Sequence, residues 1–364
     1  MKSNCTKIVV PETCTSIDAN ACEQMAGLTT VVLPEYLNAI GNEAFIDCSS
    51  LEIIDIPNNT LSLGANVFEG CSSLSSLTLP DTLNISDFSS ALSDTSGRAN
   101  GARWYVPIMN GLFKNCSSLI DINIPSNLWF ISSEMFMNTK VDEATIFIGN
   151  NIYGIESYGL SGTEIEHFTV PDPTEDGHTI EYIGDYAFKD CKSLKTADLT
   201  HLAETLKGYY KSSGTITAYN NVKGMFSGCS LLETVQMPTS TNWNKNNKGL
   251  IGTEMFDNCS SLGSINLVCE ETTVNNYGFR NCSSLKTLTD ANHYVVPYTS
   301  SFEGCSSLES IRTYAPSKKI YEACFKNDSK LNEVEILYNS SAVISLSADC
   351  FANCEALSSI AFPT

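Results

Sequence analysis

Several features that would point to a familiar function are scarce or missing in this sequence. Only 17% of the 364 residues are charged, and acidic residues outnumber Lys and Arg 41 to 21, which gives a net charge of −20. A surface of this sign repels nucleic-acid phosphates and anionic lipids, so we expect no nucleic-acid partner. No apolar run approaches the ~18 residues of a membrane span, and the N-terminus MKSNCTKIVV has no apolar signal core. We expect a soluble chain without direct membrane insertion, either mature or trimmed from a longer protein.

Catalytic signatures are missing as well. The sequence has no HExxH zinc motif, no GxxxxGK phosphate loop, no GxGxxG dinucleotide loop and no GxSxG nucleophile elbow. The four histidines are scattered along the chain, and an isolated surface histidine is usually solvated rather than catalytic. They are His167, His178, His201 and His293. The sequence therefore predicts neither an enzyme nor a cofactor site.

One acidic segment begins like a calcium-binding loop. In DPTEDGHTIEYI, the residues Asp172, Thr174, Asp176 and Gly177 stand at ligand-like offsets. The twelfth position is Ile183, where such a loop needs a bidentate glutamate. We interpret the segment as an acidic surface turn and predict no metal site.

What the sequence has in abundance is repetition. The heptapeptide FEGCSSL begins at Phe68, and close copies begin at Phe113, Phe256, Phe279 and Phe302. With the Phe as reference, the same column recurs thirteen times, most often at a spacing of 23 residues. It reads Cys22, Phe45, Phe68, Phe113, Phe136, Leu160, Phe188, Phe226, Phe256, Phe279, Phe302, Phe325 and Phe351. The sequence therefore predicts one repeat domain over residues 1–364, with about 13 units of about 23 residues.

Other columns predict the structure within each unit. Apolar residues at nine and eleven positions after the Phe flank a polar one, as in Ile54, Asp55 and Ile56. This alternation indicates a strand with one buried face, and a following proline such as Pro57 ends it. Two residues after the Phe stands Gly, Asn or Asp in every unit but the first, which has Gln24. These residue types tolerate a left-handed backbone, so we predict a short helical turn that ends there.

The full unit resembles a known repeat family. The segment IGNEAFIDCSSLEIIDIP, Ile40 to Pro57, matches the pattern I-G-x-x-A-F-x-x-C-x-x-L-x-x-I-x-I-P of the BspA-like leucine-rich repeats, the Treponema pallidum type. The resemblance implies an α/β leucine-rich-repeat solenoid, a right-handed superhelix with one long parallel sheet on the concave side and short helical turns on the convex side. The units at Phe136 and Leu160 depart from it, because Thr139 and Thr163 take the place of Cys. We expect these two units to be locally tighter.

The 15 cysteines are interpreted as structural. Nine stand three residues after the Phe, in a column that we expect to form a buried ladder of free thiols. A reactive thiol needs exposure and a positive neighbourhood, and the motif NCSSL supplies neither. The six cysteines outside the column are Cys5, Cys14, Cys22, Cys269, Cys324 and Cys350. For Cys324 and Cys350, which precede Phe in consecutive units, both a disulfide and two packed thiols remain open.

Three insertions carry the candidate partner-binding residues. They lie near residues 81–107, 201–221 and 239–250, each after a strand and before the next turn. Exposed aromatic residues and arginine are enriched at binding hot spots. The candidates are Arg103, Trp104, Tyr105, Tyr209, Tyr210, Tyr219 and Trp243. The alternative is that these rings fold back over their own loops.

The outward-facing strand column is a second candidate surface. Its members are mostly short and polar, which suits hydrogen bonding to a protein or a glycan. They are Asp55, Thr78, Asn123, Thr145, Thr169, Asp198, Gln236, Asn266, Thr289, Arg312 and Glu335. The alternative is the plain solvated face of a sheet.

The resemblance also implies a function. The family is known from surface or secreted proteins of host-associated bacteria and protists, and several members bind host matrix proteins or other cells. We therefore expect a non-catalytic adhesion or interaction scaffold, extracellular or at the cell surface, with its export signal outside this chain. The expected partner is a protein, such as an extracellular-matrix or host-surface glycoprotein. The alternatives are a structural spacer in a larger cell-surface protein and a carbohydrate-binding module.

Overall fold

The structure is a computed structural model that divides into two compact units. It describes residues 4–83, 109–147, 152–172, 180, 182–202, 222–238, 248–288, 292–315, 318–338 and 344–362. One unit contains the described residues up to Ile165, and the other contains those from Glu166 onward. Both are parallel β-solenoids in which one repeat, called a rung below, stacks on the next. A single domain over residues 1–364 stays a prediction.

Most rungs of the first unit contribute two short strands. The elements are β1 (Lys7–Val9), β2 (Ser16–Ile17), β3 (Thr30–Val32), β4 (Ala39–Ile40), β5 (Ile53–Ile54), β6 (Ser62–Leu63), β7 (Ser76–Thr78), β8 (Asp121–Asn123), β9 (Phe130–Ile131), α1 (Glu143–Phe147) and β10 (Gly154–Ile155). Strands that follow the Phe-containing turn form a main sheet, with the orders β1-β3-β5 and β7-β8. Strands that precede the next turn form a second sheet, with the order β2-β4-β6 and the pair β9-β10. The register places buried Val31 opposite buried Ile54, which are one period apart.

The second unit is also built of short parallel strands. Its strands are β11 (His167–Thr169), β12 (Tyr182–Ile183), β13 (Thr196–Asp198), β14 (Thr234–Gln236), β15 (Lys248–Ile251), β16 (Ser264–Ile265), β17 (Glu271–Val274), β18 (Tyr294–Pro297), β19 (Ser310–Tyr314), β20 (Lys319–Ile320), β21 (Glu333–Leu337), β22 (Ser345–Leu346) and β23 (Ser359–Ala361). The sheets run β11-β13-β14-β16, β15-β17-β18-β19-β21-β23 and β20-β22. Parallel pairing was predicted and is confirmed. The expectation of one long sheet is wrong for the described residues. In the first unit the two-residue strands before the turns pair in a sheet of their own, whereas in the second unit the four-residue strands β15, β17 and β18 before the turns join the strands β19, β21 and β23 after the turns in one sheet.

The predicted short helical turns are not helices, so the α/β class is wrong and the fold is a β-solenoid with almost no helix. The left-handed residue two positions after the Phe is confirmed in all thirteen rungs, including Gln24 with φ 58°. A second left-handed residue stands two positions before the Phe, as Glu43 does ahead of Phe45. Two left-handed residues four positions apart prevent a continuous run of right-handed residues, so no helix can propagate.

Backbone hydrogen bonds join the turns of neighbouring rungs as strands are joined in a sheet. The N–H groups of Glu43, Phe45 and Asp47 donate to carbonyls of the next rung at 2.9, 3.0 and 2.7 Å. Within the turn, the N–H of Cys48 donates to the carbonyl of Phe45 at 3.2 Å. The turns therefore satisfy their polar backbone groups by stacking, which an isolated rung cannot do.

One rung contains a helix where a strand was predicted. Helix α1 occupies the place of the main strand after Phe136, so Thr145 does not belong to the outward strand column. Asp142 caps the helix, because its side-chain Oδ1 accepts the N–H of Thr145 at 2.8 Å. This rung lacks one residue of the regular spacing before Val141, but the rung at Leu160 lacks one before Ile165 as well and still forms β11.

The core of each unit is a stack of phenylalanine rings. Phe45, Phe68 and Phe113 are fully buried, and their ring centroids lie 5.8 and 5.9 Å apart with nearly parallel planes. In the second unit an unbroken stack runs from Phe188 to Phe351 with centroid distances of 5.3–5.8 Å. Offset stacking at this spacing adds to the hydrophobic gain of burying each ring.

The left-handed column also interlocks from rung to rung. The amide of Asn138 donates to Oδ1 of Asn115 at 2.8 Å. Where Asp47 precedes, the next rung has Gly70, and a Cβ added there would lie only 2.3 Å from Asp47 Oδ1. Since Gly70 also has φ +75°, the chain needs glycine at this position for two independent reasons.

Candidate interaction surface

The cysteine column is a buried structural ladder, as predicted. Eight of the nine thiols donate to the carbonyl of the preceding rung's column residue, for example Cys71 to Phe45 at 3.2 Å and Cys282 to Phe256 at 3.1 Å. Burial raises the pKa of the Cys48 thiol to about 11. None of the 15 cysteines forms a disulfide. The ladder therefore stabilises the stack and offers no exposed nucleophile.

Thiol labelling tests this interpretation. We expect five ladder cysteines to react slowly in the native protein and quickly after unfolding, because labelling needs an accessible thiolate. They are Cys48, Cys71, Cys259, Cys282 and Cys305. Half-buried Cys14 is the internal control and should label first. Rapid native labelling of the five would restore the reactive-site alternative.

The open question about Cys324 and Cys350 is resolved in favour of thiols. Both are buried and free. The sulfur of Cys324 lies 3.5 Å from the hydroxyl oxygen of Ser301. Burial raises the pKa of the Cys324 thiol, so it stays protonated.

The seven predicted partner-binding residues all lie outside the described residues. They are Arg103, Trp104, Tyr105, Tyr209, Tyr210, Tyr219 and Trp243. The structure does describe the residues at which two insertions leave the stack. Leu83 and Leu202 are buried at the ends of their main-sheet segments, with 3% and 2% exposure. The aromatic insertions remain a predicted interaction surface, and two of them begin next to these buried leucines.

The predicted polar strand column is largely confirmed. Its exposed members are Asp55, Thr78, Asn123, Thr169, Gln236 and Asn266, and its half-buried members are Asp198, Arg312 and Glu335. Thr145 is the error, because it lies in α1. Thr289 lies outside the described residues. The outer face of the main sheet is thus accessible and rich in hydroxyl and amide groups.

Charges on this face of the second unit are paired across rungs. Lys195 contacts Glu166 at 2.5 Å, and this hydrogen bond lowers the pKa of the Glu166 carboxyl. Nδ1 of His167 lies 2.8 Å from the hydroxyl oxygen of Thr196. Exposed pairs of this kind contribute little to stability, because water screens them. The face therefore presents local hydrogen-bonding groups rather than a strong field of one sign.

An apolar patch on the first unit escaped the sequence reasoning. Val9, Val32 and Ile53 are 64%, 43% and 55% exposed on the outer face of the strands β1, β3 and β5, and Val9 pairs with Val32. Val and Ile are also the residue types at the buried strand positions, so residue type alone does not distinguish these exposed residues from buried ones. Their offset within the repeat does distinguish them, because other rungs have polar residues at the same offsets.

A tyrosine group in the second unit was missed too. The rings of Tyr298 and Tyr321 stack at 4.9 Å, and Tyr294 contacts Tyr314 edge-on at 5.7 Å. The hydroxyl of Tyr294 donates to Glu271 at 3.1 Å, and burial is the main reason that its pKa rises to about 12. All four rings are half-buried. The signal was present in the sequence, because Tyr298 and Tyr321 are one period of 23 residues apart.

A polar cleft of about 400 Å³ lies between β8 and α1, lined by Asp121–Ile124, Asp142, Ala144 and Thr145. It contains no nucleophile paired with a base.

Within the described ranges, no group of three or more His, Cys, Asp or Glu residues is arranged to hold a metal ion. The acidic segment from Asp172 lies mostly outside those ranges, and Asp172 itself contacts His201 at 3.7 Å.

In the part of the chain that the structure describes, no helix has the length and apolar character needed to span a bilayer. The short strands, paired in parallel from rung to rung over about 12 turns with almost no helix, define a β-solenoid of the leucine-rich-repeat kind. The family model described as BspA type leucine-rich repeat region (6 copies) matches residues 1–96, 106–220, 174–248 and 249–364. The chain belongs to the BspA-type leucine-rich repeat family.

Solved structures with a related course of the chain come from several bacteria. A leucine-rich cell surface protein of Faecalibacterium prausnitzii is 21% identical, with 98% of this chain and 78% of that one covered and a TM-score of 0.47. A leucine-rich repeat protein of Bacteroides ovatus is 18% identical, with 97% and 86% covered and a TM-score of 0.48. The pneumococcal vaccine antigen PcpA is 16% identical, with 97% and 83% covered and a TM-score of 0.48. These likenesses are too loose to support an argument about this chain, and no curated protein matches it.

Proposed function

We propose that this protein is a non-catalytic interaction scaffold, secreted or held at the cell surface, that binds proteins of a host or of neighbouring cells. The observation that carries the proposal is the contrast between the inside and the outside of the rungs. Inside, the Phe rings stack on one another, and the thiols and backbone groups form hydrogen bonds that repeat from rung to rung. Outside, the strand column and the insertions differ from rung to rung. Repeat proteins of this family are generally protein-interaction scaffolds, and a constant stack with a variable exterior suits that role.

The described side chains support a role without catalysis. The ladder thiols are buried, and the thiol pKa is raised at Cys48 and Cys116 to about 11 and about 12. The cleft beside α1 offers only carboxylate, hydroxyl and amide groups. An acid–base or nucleophilic mechanism needs a reactive group next to its activating partner, and these surfaces do not bring such groups together.

We place recognition at the insertions first and on the main-sheet face second. The insertions combine variable length with clustered aromatic residues, which bury large areas at little entropic cost. The main-sheet face around Gln236 and Asn266 is exposed, and Asn266 Oδ1 already accepts the N–H of Met237 at 2.9 Å. That face is open for hydrogen bonds but lacks an aromatic anchor of its own at these positions.

The test substitutes Trp104, Tyr105, Tyr210 and Trp243 one at a time with Ala. Binding is first screened against extracellular-matrix proteins and a glycan array to find a ligand. Each substitution should then reduce the binding free energy for that ligand by about 2 kcal/mol or more, which raises Kd roughly 30-fold. The melting temperature should change little. Tyr36→Ala, which removes a 63% exposed ring outside the insertions, is the matched control and should bind normally.

Three other results would change the assignment. Early melting of the insertion variants would mean that the rings are loop core. Normal binding by folded variants would move recognition to the main-sheet face, which Gln236→Ala and Asn266→Ala then test. No ligand in the screen would favour the spacer role in a larger surface protein.

Carbohydrate binding is the second candidate, because one observation favours it. The tyrosine group of the second unit has one stacked pair of half-buried rings, Tyr298 and Tyr321, and one edge-on pair in which Tyr294 donates to the Glu271 carboxylate. Sugar sites often combine aromatic rings with a carboxylate. If the glycan array gives the only ligand, Tyr321→Ala should abolish binding whereas Trp104→Ala should not.

A further inference from the structure

A buried carboxylate interrupts the thiol ladder of the second unit. Asp328 stands three residues after Phe325, where nine other rungs have Cys. Its side chain is fully buried, with 0% exposure, between Cys305 of the preceding rung and Cys354 of the following one in the same column. Buried carboxylates are rare without a partner, because desolvation penalises the charge. The sequence column alone does not explain why an acid stands here.

The hydrogen-bond pattern of the ladder shows what Asp328 lacks. Cys305 donates to the carbonyl of Phe279, and Cys354 donates to that of Phe325. By the same register, the carbonyl that corresponds to position 328 is that of Phe302. An ionised carboxylate has no hydrogen to donate, and among the described residues neither carboxylate oxygen of Asp328 has a hydrogen-bond partner. A protonated carboxyl would supply the donor that the ladder position calls for.

Among the described residues, no cation compensates the charge. The titratable groups that act on Asp328 are the thiols of Cys305, Cys324 and Cys354 and the carboxylate of Glu303. Burial, with a smaller contribution from the carboxylate of Glu303, raises the pKa of Asp328 to about 8. Backbone N–H groups of Gly304 and Cys305 oppose the shift without reaching hydrogen-bond geometry.

We propose that Asp328 is a proton-operated element of the second unit: when protonated it completes the ladder between the Phe302 and Phe351 rungs, and when ionised it loosens them. The direction follows from linkage. The folded state holds this proton more tightly than the unfolded chain, whose carboxyl has a pKa near 4. The contribution is therefore full below about pH 4 and is lost as the pH rises towards about 8. The contribution of Asp328 to the stability of these rungs should therefore be largest at acidic pH and smallest at alkaline pH.

The test compares wild type with Asp328→Asn from pH 5 to 9. Asparagine can donate to the Phe302 carbonyl at every pH and does not titrate. The ratio of the two unfolding constants, measured by urea denaturation, should change by about tenfold per pH unit up to about pH 8 and then level off, with the wild type relatively less stable at high pH. At pH 8, hydrogen exchange should show extra opening in wild type at Phe302–Leu331. Asp190→Asn, at an exposed carboxylate, should leave the wild-type pH profile unchanged.

Parallel pH profiles for wild type and Asp328→Asn would overturn the proposal, as would extra exchange confined to another part of the chain. If Asp328→Asn does not fold, Asp328→Cys takes its place, because it restores the residue that nine rungs use. This variant should also remove the pH-dependent loss between pH 5 and 8. A loss that persists in Asp328→Cys would equally refute the proposal.

Discussion

Replacing Phe256 with Ala is expected to reduce the free energy of unfolding by about 3–5 kcal/mol. The ring is fully buried, and its centroid lies 5.8 Å from that of Phe226 and 5.3 Å from that of Phe279. The substitution leaves a cavity between two rungs whose backbones are held together by hydrogen bonds on both sides. Since those bonds fix the rung spacing, the stack cannot collapse to fill the space. Urea denaturation at neutral pH measures the effect.

Two controls separate stacking from simple loss of area. Phe256→Leu should be milder than Phe256→Ala, because Leu160 occupies the same column in a natural rung and is fully buried there. Tyr36→Ala, at an exposed ring, should change stability by less than about 0.5 kcal/mol. A loss below about 1 kcal/mol for Phe256→Ala would contradict the stacked core.

Position-specific backbone geometry was predictable because it depends on residue type. The column of Gly, Asn and Asp two residues after the Phe identifies the left-handed backbone in every rung. The matching column two residues before the Phe was not recognisable. It contains Glu43, Tyr186 and Ala323, residue types that carry no left-handed preference. Hydrogen bonds between rungs hold that conformation, and such long-range support is invisible in a local pattern.

The incorrect prediction of helical turns also arose because the second left-handed residue of each turn leaves no signal in the sequence. A sequence column that ends in Asn or Gly is typical of a helix terminus, and a turn with two left-handed residues gives the same signal at its end. The second sheet was missed because strands such as β4 and β6 have two residues, too few for an alternating pattern. Helix α1 could not be predicted from the missing residue before Val141, because the rung at Leu160 also lacks one residue, before Ile165, and forms the strand β11.

Some features of the candidate surfaces could be predicted from the sequence and others could not. The polar strand column could be predicted because outward positions alternate with buried ones, and the structure agrees outside α1 and Thr289. Asp328 could not be singled out from the sequence because it is one of four exceptions in a column with nine cysteines, and only its burial without a partner among the described residues distinguishes it. The apolar patch at Val9 and Val32 required the offset of each residue in the repeat as well as its type.

The second large effect concerns a buried ion pair between consecutive rungs. Arg280 follows Phe279 and Asp257 follows Phe256, so the repeat places them side by side. The guanidinium donates from Nε to Oδ1 at 2.8 Å and from Nη2 to Oδ2 at 2.6 Å, and it lies 4.4 Å from the centre of the Tyr277 ring. The Asp257 side chain is 6% exposed and that of Arg280 is 33% exposed.

We expect Arg280→Ala to lower the free energy of unfolding by about 2–3 kcal/mol, somewhat less than for a fully buried pair because the guanidinium is partly solvated. The reason is asymmetric burial: without Arg280, the Asp257 carboxylate stays buried and unpaired. Asp257→Asn should be milder, since the arginine can turn towards solvent. Arg280→Lys should recover only part of the loss, because one ammonium cannot reproduce the two parallel bonds.

A double-mutant cycle of Arg280→Ala and Asp257→Asn measures the coupling directly. If the pair acts as described, the double variant should be more stable than Arg280→Ala alone, because no buried charge is left without a partner. Additive effects of the two substitutions would instead show that Arg280 contributes through its contact with Tyr277. In that case Tyr277→Ala should reproduce the loss seen for Arg280→Ala, and the charge of Asp257 would have no part in holding these two rungs together.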